Sequence, residues 1–186
     1  CSYCIIPKIR GRFRSVPMQE LLNEAKRLAS EGVKELVLVA QETTLYGKDL
    51  TGEKQLPLLL HELCKIEGIE WIRLLYCYPE EITDELIKVI KTEEKVCNYI
   101  DMPIQHSENR ILQRMGRRTS REDLVAVIKK LRKEIPDITI RTTLITGFPG
   151  ESQEDHEGLM NFVEECQFDR LGVFTYSPEE DTLAAT

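Results

Sequence analysis

The sequence predicts an α/β fold in which helices cover a parallel sheet, and two observations support this prediction. Short apolar runs rich in β-branched residues alternate along the chain with longer segments whose apolar residues recur every three or four positions. The short runs are apolar at nearly every position, as in strands that are buried on both faces. Such alternation is typical of parallel sheets, because parallel strands need a long crossover connection.

Five strands and five helices follow from this pattern in chain order. The predicted strands are residues 35–40, 71–76, 99–103, 138–145 and 170–176. The predicted helices are residues 18–30, 56–66, 80–91, 122–134 and 153–166. Ser120 and Ser152 each precede acidic residues at the start of a helix, which is the pattern of an N-cap.

The spacing of the strands narrows the choice among α/β folds. They recur roughly every 30–40 residues, close to the ~31 residues of one βα unit in a (β/α)8 barrel. A closed barrel needs about 250 residues, and this chain has 186. The chain starts inside a motif at Cys1, so we expect a first strand upstream. The prediction is an open partial TIM barrel of the (β/α)6 type, with a doubly wound sheet as the alternative.

Composition excludes several classes of protein. No apolar run approaches the ~20 residues of a membrane-spanning helix, so no membrane partner is expected. The net charge of −7 argues against nucleic-acid binding driven by charge alone. Six cysteines are too few for a disulfide scaffold, and four of them lie singly among apolar neighbours, which predicts free thiols and a cytoplasmic location. These four are Cys64, Cys77, Cys97 and Cys166.

Polar or turn-forming residues follow every predicted strand. The carboxyl ends of parallel strands meet at one edge of the sheet, and this edge carries the chemistry of such folds. We therefore expect the candidate functional residues of the chain at this edge. The segments concerned are residues 41–44, 76–78, 105–107, 147–151 and 177–180.

Cys1 and Cys4 form the chain's spaced pair of cysteines, and the spacing alone leaves three uses open, besides the alternative that the pair has no functional role. A zinc ribbon needs a second pair, and the other four cysteines have no partner at ligand spacing. A redox dithiol normally follows a strand and opens a helix, whereas Pro7 and a basic stretch follow here. The third use is a 4Fe–4S cluster held by three cysteines, the first of them upstream of this chain.

Several motifs together resemble radical S-adenosylmethionine (SAM) enzymes of the methylthiotransferase branch. The first four residues resemble the end of the C-x-x-x-C-x-aromatic-C loop of that superfamily. The resemblance continues, in order, through residues 5–15, 101–106, 147–151 and 174–178. Residues 76–79 and 168–182 resemble the members that methylthiolate an aspartate of ribosomal protein S-twelve. The branch that modifies tRNA adenosine is the first alternative, and a zinc-stabilised binding module is the second.

The resemblance implies the cofactors and the roles of the residues near Cys1. Cys1 and Cys4 would be the second and third ligands of a 4Fe–4S cluster, and Tyr3 the aromatic residue beside the cofactor SAM. Gln41 and Glu42 stand where such enzymes bind the amine of SAM. The commoner family pattern there is Gly-Gly-Glu, so either side chain could act.

Four further residues are candidates for contact with SAM or substrate. Gly147 precedes a Pro-Gly pair suited to a tight turn, in the segment that borders the SAM nucleoside in the family. Gln105 lies just past a strand end, and we rank its neighbour His106 below it. Arg141 shares a strand face with Thr143 and could pair with the SAM carboxylate, unless it simply faces solvent.

The resemblance also implies partners and missing parts. The expected substrate is ribosomal protein S-twelve, which suits an acidic enzyme, and the expected electron donor is a flavodoxin or ferredoxin. Residues 1–186 would be the radical SAM core alone. An upstream domain with a second 4Fe–4S cluster and a C-terminal TRAM-like domain would lie outside the chain, so the chain alone should not complete methylthiolation. The basic residues Lys8, Arg10, Arg12 and Arg14 would contact a partner or face solvent.

Overall fold

The computed structural model describes residues 1–185, which form five strands and eight helices. The strands are β1 (Glu35–Leu38), β2 (Trp71–Leu74), β3 (Val96–Asp101), β4 (Thr139–Thr146) and β5 (Arg170–Thr175). The helices are α1 (Ile6–Arg10), α2 (Met18–Ser30), α3 (Lys48–Thr51), α4 (Leu56–Cys64), α5 (Asp84–Thr92), α6 (Asn109–Arg114), α7 (Arg121–Glu134) and α8 (Gln153–Cys166). No helix in this range is long and apolar enough to cross a membrane.

The five strands form one parallel sheet in the order β1-β2-β3-β4-β5. Each strand pairs with the strand before it, and the intervening helices supply the crossovers. Beyond β3, an isolated bridge between Gln105 and Leu144 carries the pairing with β4 toward the carboxyl edge. The sheet does not close on itself across the described residues, which confirms an α/β fold with an open parallel sheet.

The two faces of the sheet differ in chemistry. One face buries apolar side chains of alternate residues, such as Ile72, Ile100 and Ile140, against the helices. The opposite face, called the polar face below, carries charged and aromatic side chains at the intervening positions. It includes Glu35, Arg73, Tyr99, Asp101, Arg141 and Arg170.

The element boundaries follow the prediction closely, with differences that have local causes. α2 and α8 match it to the residue, and both Ser120 and Ser152 form complete capping boxes. The predicted helix 80–91 is wrong at its start: residues Pro79–Glu81 form a 3-10 turn, and α5 begins only after Thr83 accepts a hydrogen bond from Leu86 N. β3 begins earlier than predicted. Asn98 interrupts the apolar run and so hides the start of the strand in the sequence, and in the structure its side chain pairs with Asp137.

Candidate functional site

The Cys1–Cys4 loop lies against the carboxyl edge of the sheet, held by backbone contacts from two directions. Ser2 N donates to Met115 O over 2.8 Å, and Ser2 Oγ donates to Arg114 O over 2.6 Å, so the loop rests on the end of α6. Ala184 N donates to Ser2 O over 2.9 Å, which fixes the loop to the segment after β5. Both cysteines are free thiols, and Cys1 is exposed.

An aromatic stack connects this loop to the segment after β4. The Tyr3 ring meets Phe148 edge-on at 6.0 Å, and Phe148 meets Tyr176 edge-on at 5.2 Å. These rings pack with Ile111 and Met115 in an apolar cluster separate from the main core. Burial raises the pKa of Tyr3 to about 12, so its hydroxyl stays protonated.

The segment 147–151 forms the tight turn that the sequence predicts. Pro149 and the left-handed Gly150 occupy its centre, and Glu151 N donates to Phe148 O over 2.8 Å. The Glu151 side chain closes the turn, because its Oε2 accepts a hydrogen bond of 2.9 Å from Phe148 N. Gly147 also has a positive φ of 71° and is exposed, with open space where a side chain would begin.

Glu42 is the buried carboxyl group of the site. Its Oε1 accepts hydrogen bonds from Thr44 N at 3.0 Å and Tyr78 N at 3.4 Å, and from the Thr44 hydroxyl. Its Oε2 is buried and has no hydrogen-bond partner among the described residues. Burial raises the pKa of Glu42 to about 8. Gln41 is exposed, so Glu42 rather than Gln41 presents the unsatisfied oxygen.

Arg117 is a residue of the site that the sequence analysis did not single out. Its Nη2 donates to Pro103 O over 2.8 Å, and its Nη1 lies 3.8 Å from Cys1 Sγ. The guanidinium stacks over the Tyr78 ring at 4.4 Å, and its Nε is buried without a partner in residues 1–185. An arginine with only 8% exposure needs an anion or several acceptors, and this burial is visible only in the structure.

Gln105 and His106 diverge after β3. Gln105 is half-buried with a left-handed φ of 74°, and its backbone pairs with Thr143 and Ile145 of β4. His106 is fully buried, its Nδ1 accepts from Glu108 N, and its Nε2 lies 3.6 Å from Glu151 Oε1. Burial lowers its pKa, so the ring is neutral and supports the turn at Glu151.

Arg141 has an anion beside it, and that anion is Asp101. Arg141 Nη1 donates to Asp101 Oδ1 over 2.6 Å on the polar face of the sheet. The side chain of Arg141 is 39% exposed, so it is neither buried nor simply directed into solvent. The guanidinium beside Cys1 is that of Arg117, whereas Arg141 pairs with Asp101.

The donor groups present fit a 4Fe–4S cluster with SAM. Two free thiols lie in one loop, and the sulfur of Cys1 lies beside the buried Arg117. The unpartnered oxygen of Glu42 lies at the same carboxyl edge of the sheet. No group of three or more His, Cys, Asp or Glu side chains in residues 1–185 is arranged to hold a metal ion, so a cluster would need a ligand beyond these. The four other cysteines are free thiols; Cys77 and Cys166 are buried, Cys64 and Cys97 partly so.

Comparison with known families and sequences agrees with this arrangement. Residues 1–163 match the family described as the radical SAM superfamily. The chain is 68% identical over 185 residues to "Ribosomal protein uS12 methylthiotransferase RimO" of Lachnoclostridium phytofermentans, covering 100% of this chain and 42% of that protein. The protein of the same name from Clostridium perfringens is 60% identical with the same coverage. The chain thus spans about 42% of the length of these curated relatives.

Solved structures share the fold. The radical SAM methyltransferase TsrM from Kitasatospora setae, determined with cobalamin and a [4Fe-4S] cluster bound, superposes with a TM-score of 0.79 at 18% identity. That comparison covers 100% of this chain and 36% of TsrM. Coproporphyrinogen III oxidase (HemN) from Escherichia coli gives 0.67 at 20% identity, over 90% of this chain and 39% of its own.

Proposed function

The chain belongs to the radical SAM superfamily, and from that membership we propose that it is the core of an enzyme that methylthiolates the β-carbon of an aspartate in ribosomal protein uS12. The family implies a 4Fe–4S cluster and SAM as cofactors. The structural observation that supports the proposal is the contact between Cys1 and the buried Arg117. It stands beside the 68% identity of the chain to a ribosomal protein uS12 methylthiotransferase.

Cys1 and Cys4 would hold the cluster, with a third cysteine from the chain upstream. When bound, the cluster and SAM would supply the radical chemistry that removes a hydrogen atom from the substrate. The Cys1–Cys4 loop is held in a fixed position, because Ser2 forms two hydrogen bonds with the end of α6 and a third with the segment after β5. The thiol pair is thus held on rigid neighbours rather than on a free terminus.

Glu42 and Arg117 would bind the two charged ends of the methionine part of SAM. The free Oε2 of Glu42 can accept from the ammonium group, and a cation there favours the ionised carboxylate whose pKa burial raises to about 8. The buried Nε of Arg117 can donate to the carboxylate. Gln105 and the turn at Gly147 would border the nucleoside, and the rings of Tyr3 and Phe148 would exclude water.

The substrate assignment is supported by the names of the relatives and by charge. An acidic chain, at −7, attracts a basic ribosomal protein and repels the phosphates of tRNA. The exposed acids Glu179 and Glu180 lie just beyond β5, at the same edge of the sheet as Cys1. A tRNA adenosine methylthiotransferase is the alternative, and the same core chemistry would serve it.

Further partners and domains belong to the whole protein. An upstream domain with a second 4Fe–4S cluster and a C-terminal TRAM-like domain are proposed for the remaining length that the relatives have. A flavodoxin or ferredoxin is the proposed electron donor. The segment 8–14 has four basic residues and no acidic one, with Arg10, Arg12 and Arg14 exposed, and it follows Cys4 closely. An acidic donor would meet complementary charge there.

The test uses the full-length enzyme with reconstituted clusters, SAM and reductant, offered uS12 and tRNA in separate reactions. Mass spectrometry should detect an added methylthio group on the aspartate of uS12 and none on tRNA. Modification of tRNA alone would replace the proposal by its alternative. A preparation that binds zinc and no iron would point to the binding module.

A further inference from the structure

Arg141 and Asp101 form an ion pair with unequal exposure on the polar face of the sheet. They are register partners on β4 and β3, and Nη1 of Arg141 lies 2.6 Å from Oδ1 of Asp101. The carboxylate is 1% exposed, whereas the arginine side chain is 39% exposed. The acid is therefore enclosed, and the guanidinium still faces open space.

The backbone around Tyr76 fixes the position of Asp101. Tyr76 N donates to the second carboxylate oxygen, Oδ2, over 3.2 Å, from a left-handed conformation with φ of 58°. This conformation costs free energy for a residue with a side chain, and such strain concentrates at functional sites. Thr43 N donates to Tyr76 O over 3.0 Å, which connects the strained residue to the loop that contains Glu42.

Asp101 occupies only one part of the guanidinium. An arginine has five N–H donors in a planar fork, and one of them is used by Asp101 within residues 1–185. The fork can hold a second carboxylate on its other edge while the first keeps it oriented. Asp101 is the last residue of β3, and its other oxygen accepts from Tyr76 N just beyond the end of β2, so the guanidinium of Arg141 lies near the carboxyl ends of these two strands.

We propose that the free edge of Arg141 binds the side-chain carboxylate of the substrate aspartate, and that Asp101 acts as its positioning residue. The inference rests on the proposed function and deepens it. The reacting β-carbon is bonded directly to the carboxylate carbon, so a bidentate grip on the carboxylate also fixes the carbon. Adenine has no carboxylate, and Arg141 would therefore select a protein substrate over tRNA.

The test compares two uS12 loop peptides, one with the target aspartate and one with asparagine, by their affinity for the full-length enzyme loaded with cofactors. Removing Arg141 alone would leave Asp101 buried and unpaired, which destabilises the fold. The variant is therefore Arg141→Met combined with Asp101→Asn, which can still accept from Tyr76 N. Arg170→Met is the control, since Arg170 is the β5 register partner of Arg141.

The wild-type enzyme should bind the aspartate peptide about 10- to 100-fold more tightly than the asparagine peptide. The double variant should lose this preference and keep its affinity for SAM, whereas Arg170→Met should keep both. Arg141→Lys, which retains a charge beside Asp101, should keep only part of the preference. A preference that survives in the double variant overturns the inference, and so does a loss of SAM affinity with the preference intact. If the wild-type enzyme binds neither peptide, the proposed function is wrong, and so is the proposed role of Arg141.

Discussion

The guanidinium of Arg117 lies 4.4 Å from the ring centre of Tyr78, and its Nη1 lies 3.8 Å from the sulfur of Cys1. The planar cation is thus fixed between an aromatic face, the Pro103 carbonyl and the sulfur of Cys1, with its Nε unsatisfied in the described part of the chain. Such an arrangement prepares a site for an anion, because the orientation is set before the ligand arrives.

Replacing Arg117 by Met should therefore weaken SAM binding about 10- to 100-fold, the effect of losing a hydrogen-bonded charge partner. Calorimetric titration of the cluster-loaded full-length enzyme measures this directly. Arg118→Met is the matched control, since Arg118 is the next residue and is exposed. Equal losses in the two variants would refute the assignment of Arg117.

Glu42 predicts an unusual dependence of stability on pH. Burial raises its pKa from the usual 4.5 to about 8, so the folded chain keeps a proton that the unfolded chain releases. The free energy of unfolding should fall as pH rises through this range, because the unfolded state binds fewer protons there. Glu42→Gln should remove this slope and stabilise the chain at pH 8 by about 1–3 kcal/mol.

Urea unfolding at pH 5 and pH 8 measures both quantities for Glu42→Gln. Glu80→Gln removes an exposed acid whose charge adds to the raised pKa of Glu42, and it should reduce the slope only slightly because burial is the larger cause. A slope unchanged by Glu42→Gln would show that other groups cause it.

His106 should resist protonation. Its ring is fully buried and its pKa lies below the usual 6.5, with burial outweighing the opposing charges of Glu151, Glu108 and Asp155. The imidazole of His106 binds a proton more readily in the unfolded chain than in the folded one. The free energy of unfolding should therefore decrease as pH falls below 6.5. Nuclear magnetic resonance titration should find the ring still mostly neutral at pH 6.5, and half-protonation at or above that pH would contradict the prediction.

The capping boxes of α7 and α8 should each contribute measurably to stability. Ser120→Ala and Ser152→Ala remove a side-chain acceptor from the N3 backbone amide, at a cost of about 1 kcal/mol each. Ser30→Ala, at the exposed end of α2, should change stability by less than ~0.5 kcal/mol. Denaturant midpoints of the three variants provide the comparison, and equal effects would exclude a special role for the caps.

The acidic segment beyond β5 should influence substrate capture. Glu179→Lys with Glu180→Lys should weaken the affinity of the full-length enzyme for uS12, most clearly at low salt where charges are least screened. Glu154→Lys with Glu164→Lys changes the net charge equally on exposed positions of α8 and should have a smaller effect. If the two pairs of substitutions have equal effects, only the net charge matters and not the position of Glu179 and Glu180. If neither pair has an effect at low salt, charge does not contribute to the binding of uS12.

Periodicity was sufficient to predict the fold because each main element has a strong local signal. α2 and α8 combine an apolar stripe with clear ends, and their predicted bounds are confirmed. α1, α3 and α6 were missed because they have only 5, 4 and 6 residues, too few to establish a helical period.

The site was less accessible to sequence reasoning, because its pairings cross between distant elements. Arg141 needed an anion, but only the β3–β4 register identifies it as Asp101. Arg117 follows α6, a helix too short to predict, and nothing local connects it to Cys1. His106 shows the opposite case. Its position just after a strand end made it a candidate for contact with a ligand, yet its side chain is completely buried.

The consecutive strand order of the sheet has a consequence for biosynthesis. Each strand pairs with its immediate predecessor, so every strand that leaves the ribosome finds its partner already made. The growing sheet then gains strands at one edge only, so each newly exposed edge is covered by the next strand, which limits the template for contact with other nascent chains. The ion pair of Asp101 with Arg141 can form only once β4 has been made, and the Cys1–Cys4 loop is fixed only when Ala184 has emerged. We expect the framework to be assembled during translation and the reactive edge to be completed only after β5 has emerged.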